Sequence, residues 1–376
     1  MDKICDSSEC TACRACLNIC SVGAISMKED SLEREVAVID SQRCIECKAC
    51  VKVCPNNKNL DFHVPLKCFA MRTKNEKIKK ICSSGGVAST LGAYIVHNKG
   101  IYFGAKGFPT SIEACSNLED VLECSGSKYT ESLTNTSYKE TKKYLDKAKK
   151  VVYVGTPCQC AGLLAFLGKK YNNLLLVDLI CHGVPPQKYL KEYLKQVSEK
   201  HKITDISFRE SEKFELKVKG NDEVLWYEDS YIDPYYNLFF KGTIFRENCY
   251  SCKYARKERI SDFTIGDFWG IEQSTLKKQF DGNISVCLIN TKKGMQFFDE
   301  IKTMFVYEER KIQEAINGNE QLQHPFIKEK DTRSKFERMC KKRGSRFAIN
   351  HSEFGKRAEK IKIRRSVKKM LNYMRR

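Results

Sequence analysis

The sequence predicts two structural units, a small cysteine-rich α+β domain followed by a larger mixed α/β domain. Eight cysteines recur as two identical runs before residue 55, and strand-like and helix-like segments alternate between residues 151 and 200. Such alternation is typical of parallel strands joined by crossover helices. Because 41% of the 376 residues are hydrophobic, the chain can bury a core without help from its 20 cysteines.

The two cysteine runs share the spacing C-x2-C-x2-C-x3-C, which predicts two 4Fe–4S clusters of the bacterial ferredoxin type. In such domains the fourth cysteine of each run binds the cluster of the other run. We therefore expect two interlocked ligand sets, Cys10, Cys13, Cys16 and Cys54 for one cluster, and Cys44, Cys47, Cys50 and Cys20 for the other. Zinc prefers four ligands in two spaced pairs, so it fits this pattern poorly. Cys5, which precedes the first run, is interpreted as a buried or spare thiol.

Composition divides the chain into four parts. We expect a two-cluster ferredoxin domain at 1–62, a lysine-rich linker at 63–80, the larger domain at 81–345 and a basic C-terminal tail at 346–376. The polar start of the chain has no apolar stretch of a secretory signal, and metal-bound cysteines suit a reducing compartment. A cytoplasmic location is expected.

The net charge of +19 is uneven, because residues 355–376 carry ten basic residues and one acidic residue. Charge confined to a tail, without a recognised binding fold, disfavours nucleic acid as a partner. The tail is predicted to form a terminal helix that is either solvated or rests on the inner face of the membrane as a peripheral contact. Its apolar residues are Ile361, Ile363, Val367, Met370, Leu371 and Met374.

Two short polar segments are candidates for binding a phosphorylated ligand. Ser83-Ser84-Gly85-Gly86 precedes a helix-like run, where free backbone N–H groups can bind an anion. An ordinary glycine-rich helix start explains the same pattern. In Ser125-Gly126-Ser127-Lys128-Tyr129, the lysine could neutralise a phosphate and the tyrosine could stack on a ring. A solvated turn fits these residues equally well.

Four later cysteines are candidates for a third metal site. Cys158 and Cys181 follow two predicted buried strands, at the carboxyl ends where ligands bind in α/β sheets. Cys249 and Cys252 form a C-x2-C pair, which needs two more ligands to complete a 4Fe–4S site. A redox disulfide, half of a zinc site and a nucleophilic Cys158 remain alternatives.

Taken together, the downstream motifs resemble the coenzyme F-420 hydrogenase/dehydrogenase beta-subunit family with a fused N-terminal ferredoxin domain. The matching segments occur in the family's order over roughly residues 1 to 340: Ser83 to Gly86, Gly126 to Tyr129, Gly155 to Gln159, Asp178 to Pro185, Cys249-x2-Cys252 and Asp262 to Gly270. The resemblance implies that the larger domain binds FAD. The implied contacts are Ser83, Ser84, Gly85, Gly86, Ser127, Lys128 and Tyr129.

The resemblance also favours a third 4Fe–4S cluster on Cys158, Cys181, Cys249 and Cys252. It implies an oxidoreductase that relays electrons through its clusters to FAD and acts on a small-molecule substrate or a deazaflavin-type cofactor. Similar bacterial proteins are often associated with surface-polysaccharide gene clusters. The alternative is an electron-transfer subunit without its own substrate. In either case a ferredoxin or a partner oxidoreductase is the expected electron donor or acceptor, and no catalytic residue is assigned.

Overall fold

The computed structural model describes residues 3–210, 213–221 and 223–374, without the side chains of residues 210 and 368–374. Its strands form three sheets. The strands are β1 Ile25–Glu29, β2 Glu35–Ile39, β3 Lys67–Thr73, β4 Ile101–Lys106, β5 Ser111–Cys115, β6 Val151–Gly155, β7 Leu174–Leu179, β8 Asp205–Glu210, β9 Lys213–Gly220, β10 Glu223–Asp229, β11 Phe263–Asp267, β12 Ser285–Ile289 and β13 Phe305–Arg310. The α-helices are α1 Ala15–Ile19, α2 Ala49–Val53, α3 Glu76–Ile81, α4 Val87–His97, α5 Leu118–Glu123, α6 Ser137–Asp146, α7 Pro157–Leu167, α8 Gln187–Tyr193, α9 Lys195–Ser198, α10 Pro234–Phe240, α11 Lys292–Ile301, α12 Ile312–Gly318, α13 Lys330–Asn350 and α14 Glu353–Met374.

The N-terminal unit is an antiparallel hairpin with two short helices. Strands β1 and β2 pair from Ile25 opposite Ile39 to Glu29 opposite Glu35. Helix α1 contains Cys16 and α2 contains Cys50; both helices have five residues, and each is followed directly by the last cysteine of its run. The repeated sequence thus folds into a repeated structure.

An eight-stranded mixed sheet forms the centre of the larger unit, in the order β13-β3-β12-β11-β7-β6-β4-β5. Strands β4, β6, β7 and β11 are parallel, and the outer pairs are antiparallel. The predicted parallel pair is confirmed, with Gly155 opposite Asp178 and α7 as the crossover. All five residues of β6 are buried, as expected for a strand covered on both faces. A separate antiparallel sheet contains β8, β9 and β10.

Residues 63–80, predicted as a linker, instead contain a strand and a helix. Strand β3 lies inside the large sheet, between β13 and β12, and α3 follows it. Phe69, Ala70 and Met71 are fully or almost fully buried. The lysines on both sides of this short apolar run gave the segment its linker-like composition, although its centre belongs to the core.

The C-terminal tail begins as part of the folded structure. Phe354 and Ala358 are buried where α14 packs against α10 and α13, whereas Ile363 and Val367 are exposed. Three residues of the predicted apolar set, Met370, Leu371 and Met374, lie outside the described side chains. In the described part of the chain, no helix is long and apolar enough to cross a membrane.

The two units share one hydrophobic core. Buried Cys13, Cys16 and Cys54 belong to the same cluster of side chains as Tyr153 on β6 and Leu163 on α7. Helix α1 contacts both α6 and α7. The cysteine-rich unit is therefore packed directly onto the sheet's crossover helix.

Candidate metal centres and ligand cavity

The first predicted ligand set surrounds a single cavity. Cys10, Cys13, Cys16 and Cys54 all line it, although Cys54 is distant in sequence. Cys13, Cys16 and Cys54 are buried, and Cys10 is half-buried. Four thiols facing one space, three from a tight loop and one from the other run, fit the interlocked arrangement of a two-cluster ferredoxin.

The backbone of the two cysteine loops repeats residue for residue. Ala12 and Arg14 have φ angles of 52° and 60°, and the equivalent Glu46 and Lys48 have φ angles of 53° and 59°. Positive φ is uncommon for residues other than glycine and occurs where the surroundings impose it, as in ligand clamps. The loops curl in the same way, which fits a pair of like clusters.

The second predicted set is brought together in part. Burial raises the pKa of Cys50, and the nearby thiols of Cys44 and Cys47 raise it further. Cys20 directly follows α1, which packs against α2. This set is more open than the first, because Cys47 is exposed and Cys20 and Cys44 are half-buried.

Cys5 lies next to the first set. Hydrogen bonding with Cys10 and Cys54 raises the pKa of its thiol and lowers the pKa of Cys10 to about 5. The Asn57 side chain donates a hydrogen bond to the Ile4 carbonyl at 2.9 Å and so holds this segment against the second run. Cys5, which the sequence predicted as a buried or spare thiol, is thus a neighbour of the predicted ligands.

The four later cysteines also converge. Burial raises the pKa of Cys181, and the thiols of Cys249, Cys158 and Cys252 raise it further. Burial likewise raises the pKa of Cys158 to about 11 and that of Cys249 to about 12. Neutral thiols in an apolar site lose protons reluctantly, so a cation is the natural partner that would hold all four as thiolates.

Cys158 lies in the first turn of α7, directly after strand β6. The helix begins at Pro157 because Thr156 and Gln159 form a capping box, with proline at the first helical position. The Thr156 hydroxyl and the Cys158 thiol are 3.2 Å apart. The cysteine therefore has a fixed position at the carboxyl end of β6.

The buried Arg259 side chain joins the loops that contain these cysteines. Its guanidinium pairs with Asp178 at 3.1 Å, and both side chains are almost completely buried. It also donates to the Tyr254 carbonyl at 2.9 Å, just after Cys252. Since Asp178 lies on β7, three residues before Cys181, this arginine fixes one cysteine loop relative to the other.

A second buried arginine lies between the cysteine-rich unit and the larger unit. Arg246 pairs with Glu131 at 3.4 Å, and their side chains are only 2% and 7% exposed. It also donates to the carbonyls of Cys10 at 3.2 Å and Glu35 at 2.7 Å. Its charge acts on the thiols of Cys249 and Cys158, so it is close to both the first and the third groups of cysteines.

A cavity of about 560 Å³ opens beside the third group, within the usual range for small-molecule sites. It combines residues from both polar segments with two of the later cysteines. Lining side chains or backbone come from Ser83, Ser84, Gly86, Ser127, Lys128, Tyr129, Cys158 and Cys181. Of the predicted contacts, only Gly85 does not line the cavity.

Gly85 lies in the loop that forms one side of the cavity, where the loop packs against strands β3 and β12. A Cβ atom there would lie 2.0 Å from the Met71 carbonyl oxygen and 2.6 Å from the Ser285 nitrogen. Its own N–H donates to the Ser285 hydroxyl at 2.8 Å. Only glycine allows the loop to approach strands β3 and β12 this closely.

The two polar segments are joined by one side chain. The backbone N–H of Ser127 donates to the Ser83 hydroxyl at 2.8 Å, and that hydroxyl donates to the Arg209 carbonyl at 2.9 Å. Lys128 donates to the Ser125 carbonyl at 2.8 Å, and burial lowers the pKa of its amine. The segments therefore form one continuous polar wall.

Aromatic side chains, which we call the aromatic wall, line the same cavity, among them Tyr129, Phe239 and Trp269. Tyr129 stacks on Phe239, with ring centroids 4.5 Å apart and an angle of 6° between the rings. Arg209 pairs with Asp267 at 2.7 Å and lies 5.6 Å from the Trp269 ring centroid. Sequence reasoning identified the Gly266 to Gly270 segment only as part of a motif and missed Arg209, which no local pattern marks.

In the described part of the chain, no three His, Cys, Asp or Glu side chains are grouped as ligands of a single metal ion. A 4Fe–4S cube spreads its four thiolates around a larger body than one ion, so its ligands lie farther apart than those of a single metal ion.

Comparison with known proteins defines the class first. Residues 9–58 match the family model of the 4Fe-4S dicluster domain, so the chain has an iron–sulfur domain of the ferredoxin type. Residues 148–315 match the family model for the C-terminal part of the beta chain of coenzyme F420 hydrogenase/dehydrogenase. The chain is therefore an iron–sulfur protein related to these beta subunits, which confirms the resemblance noted from its motifs.

One similar solved structure is a chain of the F420-reducing [NiFe] hydrogenase complex from Methanosarcina barkeri, studied by xenon derivatization. It shares 17% sequence identity and a TM-score of 0.45, over 70% of this chain and 94% of that one. A comparison with curated proteins finds no match.

Proposed function

We propose that this protein is an iron–sulfur flavoprotein oxidoreductase that exchanges electrons with FAD in the large cavity. The observation that carries the proposal is the composition of that cavity. Both polar segments, an aromatic wall and Cys158 and Cys181 meet in one space of about 560 Å³. A redox cofactor bound there would lie beside the third cysteine group.

The proposed assignments follow the sequence. The first two 4Fe–4S clusters would be held by the interlocked runs, and a third by Cys158, Cys181, Cys249 and Cys252. FAD would be held by Ser83, Ser84, Gly86, Ser127, Lys128 and Tyr129, with Gly85 shaping the loop. When bound, the flavin would convert one-electron supply into two-electron chemistry on a small-molecule or deazaflavin-type substrate.

The chain's own groups have defined tasks in this scheme. Ser127 would offer its hydroxyl to a phosphate, its backbone being held by the Ser83 hydroxyl, and Lys128 would provide positive charge on the same wall. Tyr129, supported from behind by Phe239, presents a rigid aromatic surface. Arg259 and Arg246 hold the cysteine loops in place and offset the negative charge of thiolates.

Cofactor analysis of anaerobically purified protein tests the proposal. We expect about twelve irons and one FAD per chain, from three 4Fe–4S clusters and one flavin site. Cys158→Ala should lower iron to about eight while the spectra of the ferredoxin clusters persist. Cys340→Ala is the matched control, because Cys340 is buried beside Tyr189 and belongs to none of the three groups. Eight irons and no flavin in the unaltered protein would contradict the proposal.

Turnover separates an enzyme from an electron-transfer subunit. A protein that contains three clusters and FAD but reduces no candidate substrate on its own would be a subunit that serves a partner enzyme. Substrate reduction by the isolated chain, lost in Cys158→Ala and kept in Cys340→Ala, would establish its own activity.

A further inference from the structure

The two ferredoxin-type sites differ in their distance from the solvent. In the first set, which we call the proximal set, Cys13, Cys16 and Cys54 are buried. In the second, which we call the distal set, Cys47 is exposed and only Cys50 is buried. Electron transfer between proteins needs a cofactor close to the surface, so the distal set is the accessible end.

The proximal set faces the interior. Thr11 and Ala12, which lie between its first two cysteines, line the large cavity. On the other side, a Cβ atom at Gly162 of α7 would lie 3.0 Å from the Cys13 sulfur. Tyr254 is buried in the same hydrophobic cluster as Cys13, against which Cys158 packs, and so connects the proximal set with the third group. The proximal set and the third group therefore both adjoin the cavity, and the distal set lies on the solvent side.

The surface around the distal set is basic with an apolar centre. Ile45 is 63% exposed, directly beside Cys44 in the cysteine loop. Arg43, Lys48 and Lys52 are exposed, and Glu46 is the one acidic residue between positions 43 and 53. An apolar centre with a charged rim is the usual form of a transient protein interface, where charge complementarity guides the encounter.

We propose that this distal face, formed by Arg43, Ile45, Lys48 and Lys52, docks an acidic one-electron carrier protein. One electron passes from the reduced iron–sulfur centre of the carrier to the distal cluster, which oxidises the carrier and transfers no atoms or protons. The inference rests on the proposed iron–sulfur relay and adds its direction and the charge of its partner. It does not depend on the flavin.

Anaerobic stopped-flow mixing with a reduced acidic 2Fe–2S ferredoxin tests the docking face. A 2Fe–2S carrier is chosen because its absorbance spectrum differs from that of the 4Fe–4S clusters in this protein. The variant is the triple charge reversal Arg43→Glu/Lys48→Glu/Lys52→Glu in the full, cluster-loaded chain. At low ionic strength we expect the second-order rate constant to fall at least about tenfold, and the difference to shrink as salt is added. Excess dithionite should still reduce the variant to the same final extent as the unaltered protein, which shows that the distal cluster remains reducible.

The matched control reverses three exposed lysines near α9, in Lys195→Glu/Lys200→Glu/Lys202→Glu. It changes net charge equally, so it should alter the rate by less than about twofold if docking is local. Oxidation of the reduced protein by basic cytochrome c should be accelerated by the distal triple variant. Equal rates in the two triple variants would overturn the proposal.

Iron content and cluster spectra keep the outcomes distinct. If the distal variant retains the full iron content of the unaltered protein, about twelve irons per chain with three clusters, a slower rate reports docking and not cluster loss. If the chain contains iron but no FAD, the proposed function fails while the docking rate can still be read from cluster reduction. If variant and unaltered protein react equally fast, the docking face is wrong even where FAD is present.

Discussion

Arg246 offers a direct test of how the two units are held together. It forms a buried ion pair with Glu131 and donates to two carbonyls of the cysteine-rich unit, those of Cys10 and Glu35. Arg246→Met keeps much of the side-chain volume but removes the charge and these donors. Breaking a buried pair by removing one partner costs about 3–5 kcal/mol, because the remaining charge stays buried.

That loss is large compared with the total stability of a typical domain, about 5–15 kcal/mol. Burial already raises the pKa of Glu131, and the charge of Arg246 opposes the rise. Removing the arginine raises that pKa further. A carboxyl group with a raised folded-state pKa makes the fold less stable as pH increases, so the penalty of Arg246→Met should be larger at about pH 8 than at about pH 5.

Anaerobic urea unfolding of the cluster-loaded protein, followed by circular dichroism, gives the change in the free energy of unfolding from the midpoint and slope of the transition. The double variant Arg246→Met/Glu131→Gln should be more stable than Arg246→Met alone, because it leaves no unpaired charge. Redox titration followed by electron paramagnetic resonance should show lower cluster potentials in Arg246→Met, since a nearby positive charge favours the reduced form. Lys106→Met, which removes a charge near Asp120 and Glu123, should leave the potentials unchanged.

Two results would refute this reasoning. One is a loss of less than about 1 kcal/mol in Arg246→Met, which is the value of an exposed pair. The other is strict additivity of the two single substitutions, which would show that Arg246 and Glu131 do not interact.

Three further substitutions test other parts of the structure. Arg259→Lys keeps the charge but loses the forked guanidinium that joins two cysteine loops. Iron analysis should therefore show a loss of up to about four irons per chain, and full retention of iron would contradict this role. Gly85→Ala places a Cβ atom 2.0 Å from the Met71 carbonyl oxygen, so FAD content should fall while the ferredoxin spectra remain, and normal FAD binding would show that the loop can shift. Burial raises the pKa of Asp233 from 3.8 to about 6, so the folded state binds its proton more tightly. Stability should fall by about 3 kcal/mol as pH rises from about 4 to about 6, and urea unfolding of Asp233→Asn should lack this slope; an unchanged slope would assign it to other groups.

The sequence was most informative where spacing alone defines a structure. The two cysteine runs predicted the repeated loops, and the apolar runs predicted the parallel pair β6 and β7. These features are local or follow from short periodic patterns. The pairing of Cys54 with the first run was also predictable, because a two-cluster domain requires it.

The missed features depend on contacts between distant segments. Strand β3 is short, and its neighbours β12 and β13 lie more than 200 residues away in the chain, so lysine-rich flanks outweighed its apolar centre. Arg246 and Arg209 are isolated arginines in sequence. Their partners, Glu131 and Asp267, become neighbours only through the fold. No local periodicity marks a buried ion pair in advance.

Helix α7 of the larger unit packs directly against the cysteine-rich unit. Gly162 has no side chain because Cys13 and the Tyr138 hydroxyl occupy that space, at 3.0 Å and 2.6 Å from the Cβ position. The helix α7 that makes room for the proximal set also contains Cys158, four residues earlier. One helix thus contacts the proximal cysteines and supplies a proposed ligand of the third group. Because metal binding stabilises the fold around its ligands, loading of either site should support the helix that the other needs. The distance between the two sites is then set by a single rigid element, as an electron relay requires.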